Sequence, residues 1–96
     1  MSVYVIGQIT IKNSQKWEEY KAQVPQTLES FNASVVLRGN AVESLDGNDA
    51  YTDIVVLEFD TLAEAKKWYA SSRYQTLIPL RKEAANVVLK IYEAMK

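Results

Sequence analysis

The sequence predicts an α+β fold: a four-stranded antiparallel sheet with its helices packed on one face. Three observations predict it. Apolar and polar residues alternate along several short stretches, the signature of half-buried strands. Between them, apolar residues recur at steps of three or four, the signature of amphipathic helices. The patterns follow the order β-α-β-β-α-β, the split βαβ arrangement.

Val3 to Lys12 reads as the first strand. Its odd positions, Val3, Val5, Gly7, Ile9 and Ile11, form one side, and Tyr4, Ile6, Gln8, Thr10 and Lys12 form the other. Asn13 or Ser14 then caps a helix whose stripe is Trp17, Tyr20, Val24, Leu28 and Phe31. Pro25 lies inside that stripe, which predicts a kink or restart near Val24. Ser34 to Gly39 is the second strand. Gly39-Asn40 predicts a turn or bulge, and the following V-E-S-L-D-G-N-D an excursion that ends in a turn. Thr52 to Phe59 is the third strand. Thr61 and Glu64 form a capping box for a helix with Leu62, Ala65, Trp68 and Tyr69 on its apolar face. Ser71 or Ser72 caps a further short helix that presents Tyr74, Leu77 and either Leu80 or Arg81, with Pro79 bending it near the middle. Asn86 to Glu93 is the last strand.

Composition narrows the chemistry. Ninety-six residues make one domain, spanning 1–96. A net charge of −1 provides no basic field for nucleic acid or an anionic membrane surface. No apolar run approaches the ~20 residues a membrane helix needs. The N-terminus, M-S-V-Y-V-I-G, lacks the pattern of a signal peptide, so a cytoplasmic location is expected. With no His and no Cys, thiol nucleophiles, histidine triads and His or Cys metal sites are out. Asp46, Asp49 and Asp53 lie close in sequence, but D-G-N-D is not a calcium loop, and no metal is expected there. Working groups must come from carboxylates, Arg, Lys, Tyr, hydroxyls or amides.

The alternation also predicts a partner. One side of the strands is apolar apart from Gly7: Val3, Val5, Ile9 and Ile11, Val35 and Leu37, Val55, Leu57 and Phe59, Val87, Leu89 and Ile91. That side meets the helices. The other side is mixed, yet it carries Ile6, Val36, Ile54, Val56 and Val88 with Tyr4 and Tyr92. So much contiguous apolar surface is uncommon on a monomer, and the simplest cover is the same face of a second copy. Arg38 and Glu58 are expected on this covered face, where a lone charge would cost about 3–5 kcal/mol. Either they pair with each other, with Gln8 as a hydrogen-bonding neighbour, or Arg38 lines a cavity and binds an anionic or carbonyl oxygen.

Four stretches in order, Y-V-I-G-Q-I-T-I from Tyr4, V-L-R-G-N-A-V-E-S-L-D-G from Val36, V-V-L-E-F-D-T-L-A-E-A-K-K-W-Y-A-S from Val55 and R-Y-Q-T-L-I-P-L-R from Arg73, resemble the domain of unknown function 1330 family. The resemblance covers Val3 to about Glu93. It implies a ferredoxin-like dimeric α+β barrel, in which two sheets face each other and each subunit keeps a cavity. That superfamily includes cofactor-independent monooxygenases, an isomerase, haem proteins and non-catalytic sensors, so the fold does not select a function. This chain has no histidine for a haem, and no cofactor is expected. Many relatives carry a histidine where this chain reads S-F-N-A-S, and S-P-E-Y where it reads S-S-R-Y. The first departure removes a histidine acid or base. The second adds Arg73 beside the expected cavity mouth.

Tyr74 resembles the tyrosine of the family's Y-Q motif; it is either a packed aromatic or a proton relay helped by Arg73, Arg38 or Arg81. Arg81 either holds an anion, or pairs with a carboxylate or caps helix carbonyls. Trp17, Trp68, Tyr69 and Tyr20 sit at helical spacing and read as packing. The candidate ligand-binding set is Arg38, Glu58, Tyr74, Arg81, Tyr4 and Gln8. Two functions compete. The first is a cofactor-independent oxygenase- or isomerase-type enzyme for an anionic or aromatic small molecule. In it Arg38 holds an oxyanion and Glu58 or Tyr74 moves a proton. The second is a non-catalytic dimer that binds a metabolite or is purely structural.

Overall fold

The structure, a computed structural model, describes residues 2–95. The chain runs β1 (Val3–Ile11), α1 (Ser14–Leu28), β2 (Ala33–Asn40), β3 (Asp53–Phe59), α2 (Leu62–Ala70), α3 (Ser72–Gln75), α4 (Ile78–Ala84) and β4 (Ala85–Glu93). The four strands form one antiparallel sheet in the order β2-β3-β1-β4, a ferredoxin-like α+β fold. Among the described residues no helix is long and apolar enough to cross a membrane.

The alternation in β1 is reproduced residue by residue: Val3, Val5, Gly7 and Ile9 are buried, and the residues between them are half-buried. Phe59, Leu57 and Val55 of β3 complete the sheet side of the core. Trp17, Tyr20, Val24 and Leu28 come down from α1, Ala65 and Trp68 from α2. The one polar handle on Trp68 is satisfied, because its indole N–H donates to Thr27 Oγ1 at 2.9 Å and Thr27 in turn donates to the Val24 carbonyl at 2.6 Å. Gly7 marks a close approach. A Cβ there would stand 2.8 Å from Val55 Cγ1 and 3.0 Å from Leu89 Cδ2, so the centre of β1 has no room for a side chain on its core face.

Helix caps follow the sequence. Asn13 accepts from the Lys16 N–H, Thr61 from the Glu64 N–H and Ser71 from the Tyr74 N–H. Three local expectations change. Helix α1 runs through Pro25 to Leu28 without a restart, since the stripe of buried residues on both sides of the proline holds the helix on the sheet. Pro79 does not bend a helix in its middle. It lies in the first turn of α4, where its missing N–H had no helical partner to lose. Gly39-Asn40 is neither turn nor bulge but the end of β2; the irregularity falls earlier.

That irregularity sets where two side chains point. Val35 pairs with Leu57, but the next pairs are Leu37 with Val56 and Arg38 with Val55. One extra residue, Val36, is therefore accommodated on β2 as a bulge. A one-residue slip moves every later side chain to the opposite face. Leu37, expected in the core, lies on the helix-free face and is exposed. Arg38, expected on the helix-free face, lies on the helix side beside α1.

Candidate functional site

Ser71 joins two helices. Its hydroxyl donates to the Trp68 carbonyl at the end of α2 (2.6 Å) and accepts the Tyr74 N–H at the start of α3 (3.3 Å). This fixes Tyr74, whose ring packs against Trp68 with centroids 4.4 Å apart and is 0% exposed. Pro79 lies in the first turn of α4, and two residues on Arg81 points into the same layer, only 9% exposed.

These residues build a hydrogen-bonded chain. Arg81 Nη1 donates to the Tyr74 hydroxyl at 2.8 Å, and the Tyr74 and Tyr20 hydroxyls lie 2.8 Å apart. Two phenols sharing one contact use one proton between them, so the trio is rich in donors and short of acceptors. No carboxylate lies within 4.0 Å of Arg81 among the described residues, where the ion pairs are Lys16–Glu83 and Lys21–Glu18. Burial alone would lower the Arg81 pKa. The hydroxyls of Tyr74, Tyr69 and Tyr20 outweigh it, so the pKa is raised and the guanidinium stays charged. Burial, followed by Tyr74, pushes the Tyr20 phenol well above its ordinary value, so Tyr20 is held neutral.

Arg81 also forms part of the wall of a cleft of about 460 Å³ between α2 and the β1–β4 half of the sheet. Val5, Val87, Leu89 and Ile91 line its sheet side, and Ala65, Trp68 and Tyr69 line its helix side. Lys66 lines it too, and none of its lining residues is a carboxylate. The volume is within the range of about 300–1,000 Å³ typical of small-molecule sites. Chemically, the cleft offers apolar walls and one buried cation that is held by tyrosine hydroxyls and, among the described residues, by no carboxylate.

The six residues proposed from sequence fall into three groups. Tyr74 and Arg81 come together as described. Tyr4, Gln8 and Glu58 share the helix-free face, with the Tyr4 hydroxyl 3.5 Å from Glu58 Oε2. Arg38 joins neither group. The expected Arg38–Glu58 pair is not formed, because the bulge puts Arg38 across from Val55 while Glu58 sits across from Ser34 on the other face. Arg38 instead lines a separate cavity of about 120 Å³ with Trp17, Lys21, Asn40 and Asp53. Arg73, expected beside the cavity mouth, donates to the Gln26 carbonyl at 3.2 Å and lines a different surface hollow. Tyr20 and Tyr69 were read from the sequence only as packing. Their spacing gave no sign that one hydroxyl meets Tyr74 and the other neighbours Arg81.

A family model described as Domain of unknown function (DUF1330) matches residues 2–95. No curated protein matches the sequence. Solved structures with a similar backbone include a dimeric ferredoxin-like protein of unknown function from Jannaschia sp. CCS1, 9% identical, with a TM-score of 0.81 over 98% of this chain and 100% of that one. A hydroxynitrile lyase from Passiflora edulis is 14% identical, with a TM-score of 0.78 over 99% of this chain and 94% of that one. SnoaB, a cofactor-independent oxygenase from Streptomyces nogalater, is 8% identical, with a TM-score of 0.73 over 99% of this chain and 94% of that one. At these identities the likeness is one of fold.

Proposed function

The chain belongs to the DUF1330 family, and from that premise we propose that it is a homodimeric barrel protein that binds a small, largely apolar anion in the cleft beside α2. The observation that carries the reading is Arg81: a guanidinium 9% exposed, without a carboxylate partner among the described residues, on the wall of an apolar cleft. The tyrosine hydroxyls keep the guanidinium charged but carry no formal negative charge, and an oxyanion in the cleft would supply one through a charge-assisted hydrogen bond. Its carboxylate, enolate or phenolate oxygen meets Arg81 while the hydrocarbon body lies on Val5, Val87, Leu89 and Trp68.

The dimer rests on the helix-free face. Ile6, Leu37, Ile54, Val56 and Val88 leave an apolar strip across all four strands, and Ile54 is 37% exposed in the single chain. The segment joining β2 to β3 adds Val42 and Leu45, 98% and 93% exposed, which a second copy would cover. The similar structure from Jannaschia is described as dimeric.

A catalytic reading has one observation in its favour. Tyr69 lines the cleft and its hydroxyl neighbours Arg81, so a proton donor stands beside an oxyanion partner. Glu58 lies on the other face of the sheet and Tyr74 is sealed behind Arg81, which leaves Tyr69 the proton-moving group of an oxygenase- or isomerase-type reaction.

Thermal shift and calorimetry against aromatic and aliphatic monocarboxylates, each beside its neutral amide, test the binding. The acids are expected to stabilise the protein saturably and the amides to fail. Lys66→Glu, an exposed substitution at the cleft, is expected to weaken the acids severalfold without unfolding the chain. Equal effects of acid and amide, or indifference to Lys66→Glu and Arg81→Gln alike, would overturn the reading.

A further inference from the structure

We infer that the smaller cavity between α1 and the β2–β3 edge is a second site, one that takes a compact zwitterion of amino-acid type, with Arg38 holding its carboxylate and Asp53 its ammonium. The site is separate from the cleft. Tyr20 and Tyr74 stand between Arg81 and the α1 side of the layer, and none of the cleft's lining residues is shared.

The bulge at Val36 builds it. With the register moved by one, Arg38, Asn40 and Asp53 all fall on the helix-facing side of neighbouring strands, under Trp17 and Lys21 of α1. Arg38 is half-buried, and burial lowers its pKa. Among the described residues it makes no hydrogen bond and no ion pair. Both carboxylates that could answer it are engaged elsewhere. Glu18 is bound to Lys21 at 2.8 Å. Asp53 accepts from Asn40 Nδ2 at 2.8 Å on one oxygen and from the Thr52 hydroxyl at 2.8 Å on the other.

The charges then decide the ligand. Lys21 and Glu18 cancel. Arg38 and Asp53 remain, opposite in sign, lining one cavity without touching. A simple anion would satisfy Arg38 but face Asp53, and a simple cation the reverse. A molecule with both charges satisfies both. The guanidinium fork suits a carboxylate, and a carboxylate that already accepts two hydrogen bonds keeps lone pairs for an ammonium. The volume, about 120 Å³, sets the size. At ~30 Å³ per water-sized group it holds about four such groups, which suits a molecule of glycine size better than an aromatic acid.

The test uses the full-length protein, two-dimensional NMR of the Arg38 Nε–H and Trp17 indole signals, and three probes at matched ionic strength: glycine, acetate and methylamine. Glycine is expected to give saturable shifts at both signals, with acetate and methylamine at least tenfold weaker. The Trp68 indole, beside the cleft, is expected to stay still. Arg38→Gln should abolish the glycine response. Asp53→Asn, which keeps the contact with Asn40, should bring glycine down to the level of acetate. Equal binding of glycine and acetate would overturn the zwitterion assignment. Shifts that never saturate, or that persist in Arg38→Gln, would overturn the site. Should Arg38→Gln fail to fold, the Asp53→Asn series and the three-probe comparison on the unaltered protein decide the matter alone.

Discussion

Tyr74→Phe removes a single oxygen from a fully buried position, and its cost can be worked out from two contacts. Arg81 Nη1 loses the acceptor it meets at 2.8 Å, and a hydrogen bond to a charged donor is worth about 1.5–3 kcal/mol. Tyr20 loses its partner, also at 2.8 Å, a neutral bond worth about 0.5–1.5 kcal/mol. The sum is about 2–4.5 kcal/mol. At ~4–8 °C per kcal/mol for a chain of this size, the midpoint should fall by at least about 8 °C. Tyr20→Phe touches the neutral bond alone and should cost about 1 kcal/mol. Once Tyr74 is Phe, the Tyr20 hydroxyl has nothing left to lose, so the double substitution should fall short of additivity by about 1 kcal/mol. Urea unfolding of all four proteins at one protein concentration reads these numbers, since a dimer's stability depends on concentration. If the tyrosines merely fill space, Phe is isosteric and both substitutions should cost under about 0.5 kcal/mol with no coupling. That result, or equal costs at the two positions, would refute the hydrogen-bonded chain.

Three further outcomes are expected. Gly7→Ala should destabilise by about 1–3 kcal/mol, because the new methyl meets Val55 and Leu89 at close range and Val55 is a stiff β-branched neighbour; a neutral result by chemical denaturation would mean the sheet relaxes freely. Val56→Lys, in the middle of the helix-free face, should convert a dimer to a monomer in sedimentation equilibrium, and an unaltered protein that sediments as a single chain at high micromolar concentration would remove the homodimer. The raised pKa of Tyr20 means the folded state holds its proton longer than the unfolded state, whose phenol ionises near ~10. Its stability contribution is therefore complete below pH ~10 and declines as pH rises towards the folded pKa, by up to ~1.4 kcal/mol per pH unit. Urea unfolding between pH 8 and 11 should show that decline, and Tyr20→Phe should flatten it by one proton.

Most of the fold was legible because its signals are local and repeated. The alternation in β1 matches its burial at each of Val3 through Thr10, and Thr61, with the first of each alternative pair of caps, Asn13 and Ser71, accepts the expected backbone N–H. The two prolines were harder. Their local chemistry says only that an N–H is missing; whether a helix continues or begins there depends on what is packed beside it. Buried Val24 and Leu28 carry α1 past Pro25, while α3 ends at Gln75 and Leu77 opens α4, which leaves Pro79 in the first turn of the new helix.

The candidate site was half legible, and one residue explains the division. Tyr74 and Arg81 lie seven apart, so a periodic reading puts Tyr74 on one side with either Leu80 or Arg81; the structure, with two short helices in place of one, brings Arg81 to Tyr74. Arg38 sits beyond a bulge. A period of two carries no memory of an inserted residue, and nothing in S-V-V-L-R-G distinguishes a regular strand from one with Val36 squeezed out of register. The same insertion moves a cation off the helix-free face and places a leucine on it. It makes that face more apolar than the sequence pattern suggested, which strengthens the case for a second copy, and it leaves Arg38 on the core side with no charged partner among the described residues. The surface offered to another subunit and the unpaired guanidinium beneath α1 are thus two consequences of one extra residue in β2. Deleting Val36 should therefore keep both together: Val35–Leu57 would run straight on into Leu37–Val56 and Arg38–Val55 in regular alternation, with Leu37 still on the helix-free face and Arg38 still beneath α1. A deletion variant that lost its dimer yet kept the Arg38 response to glycine would break that link.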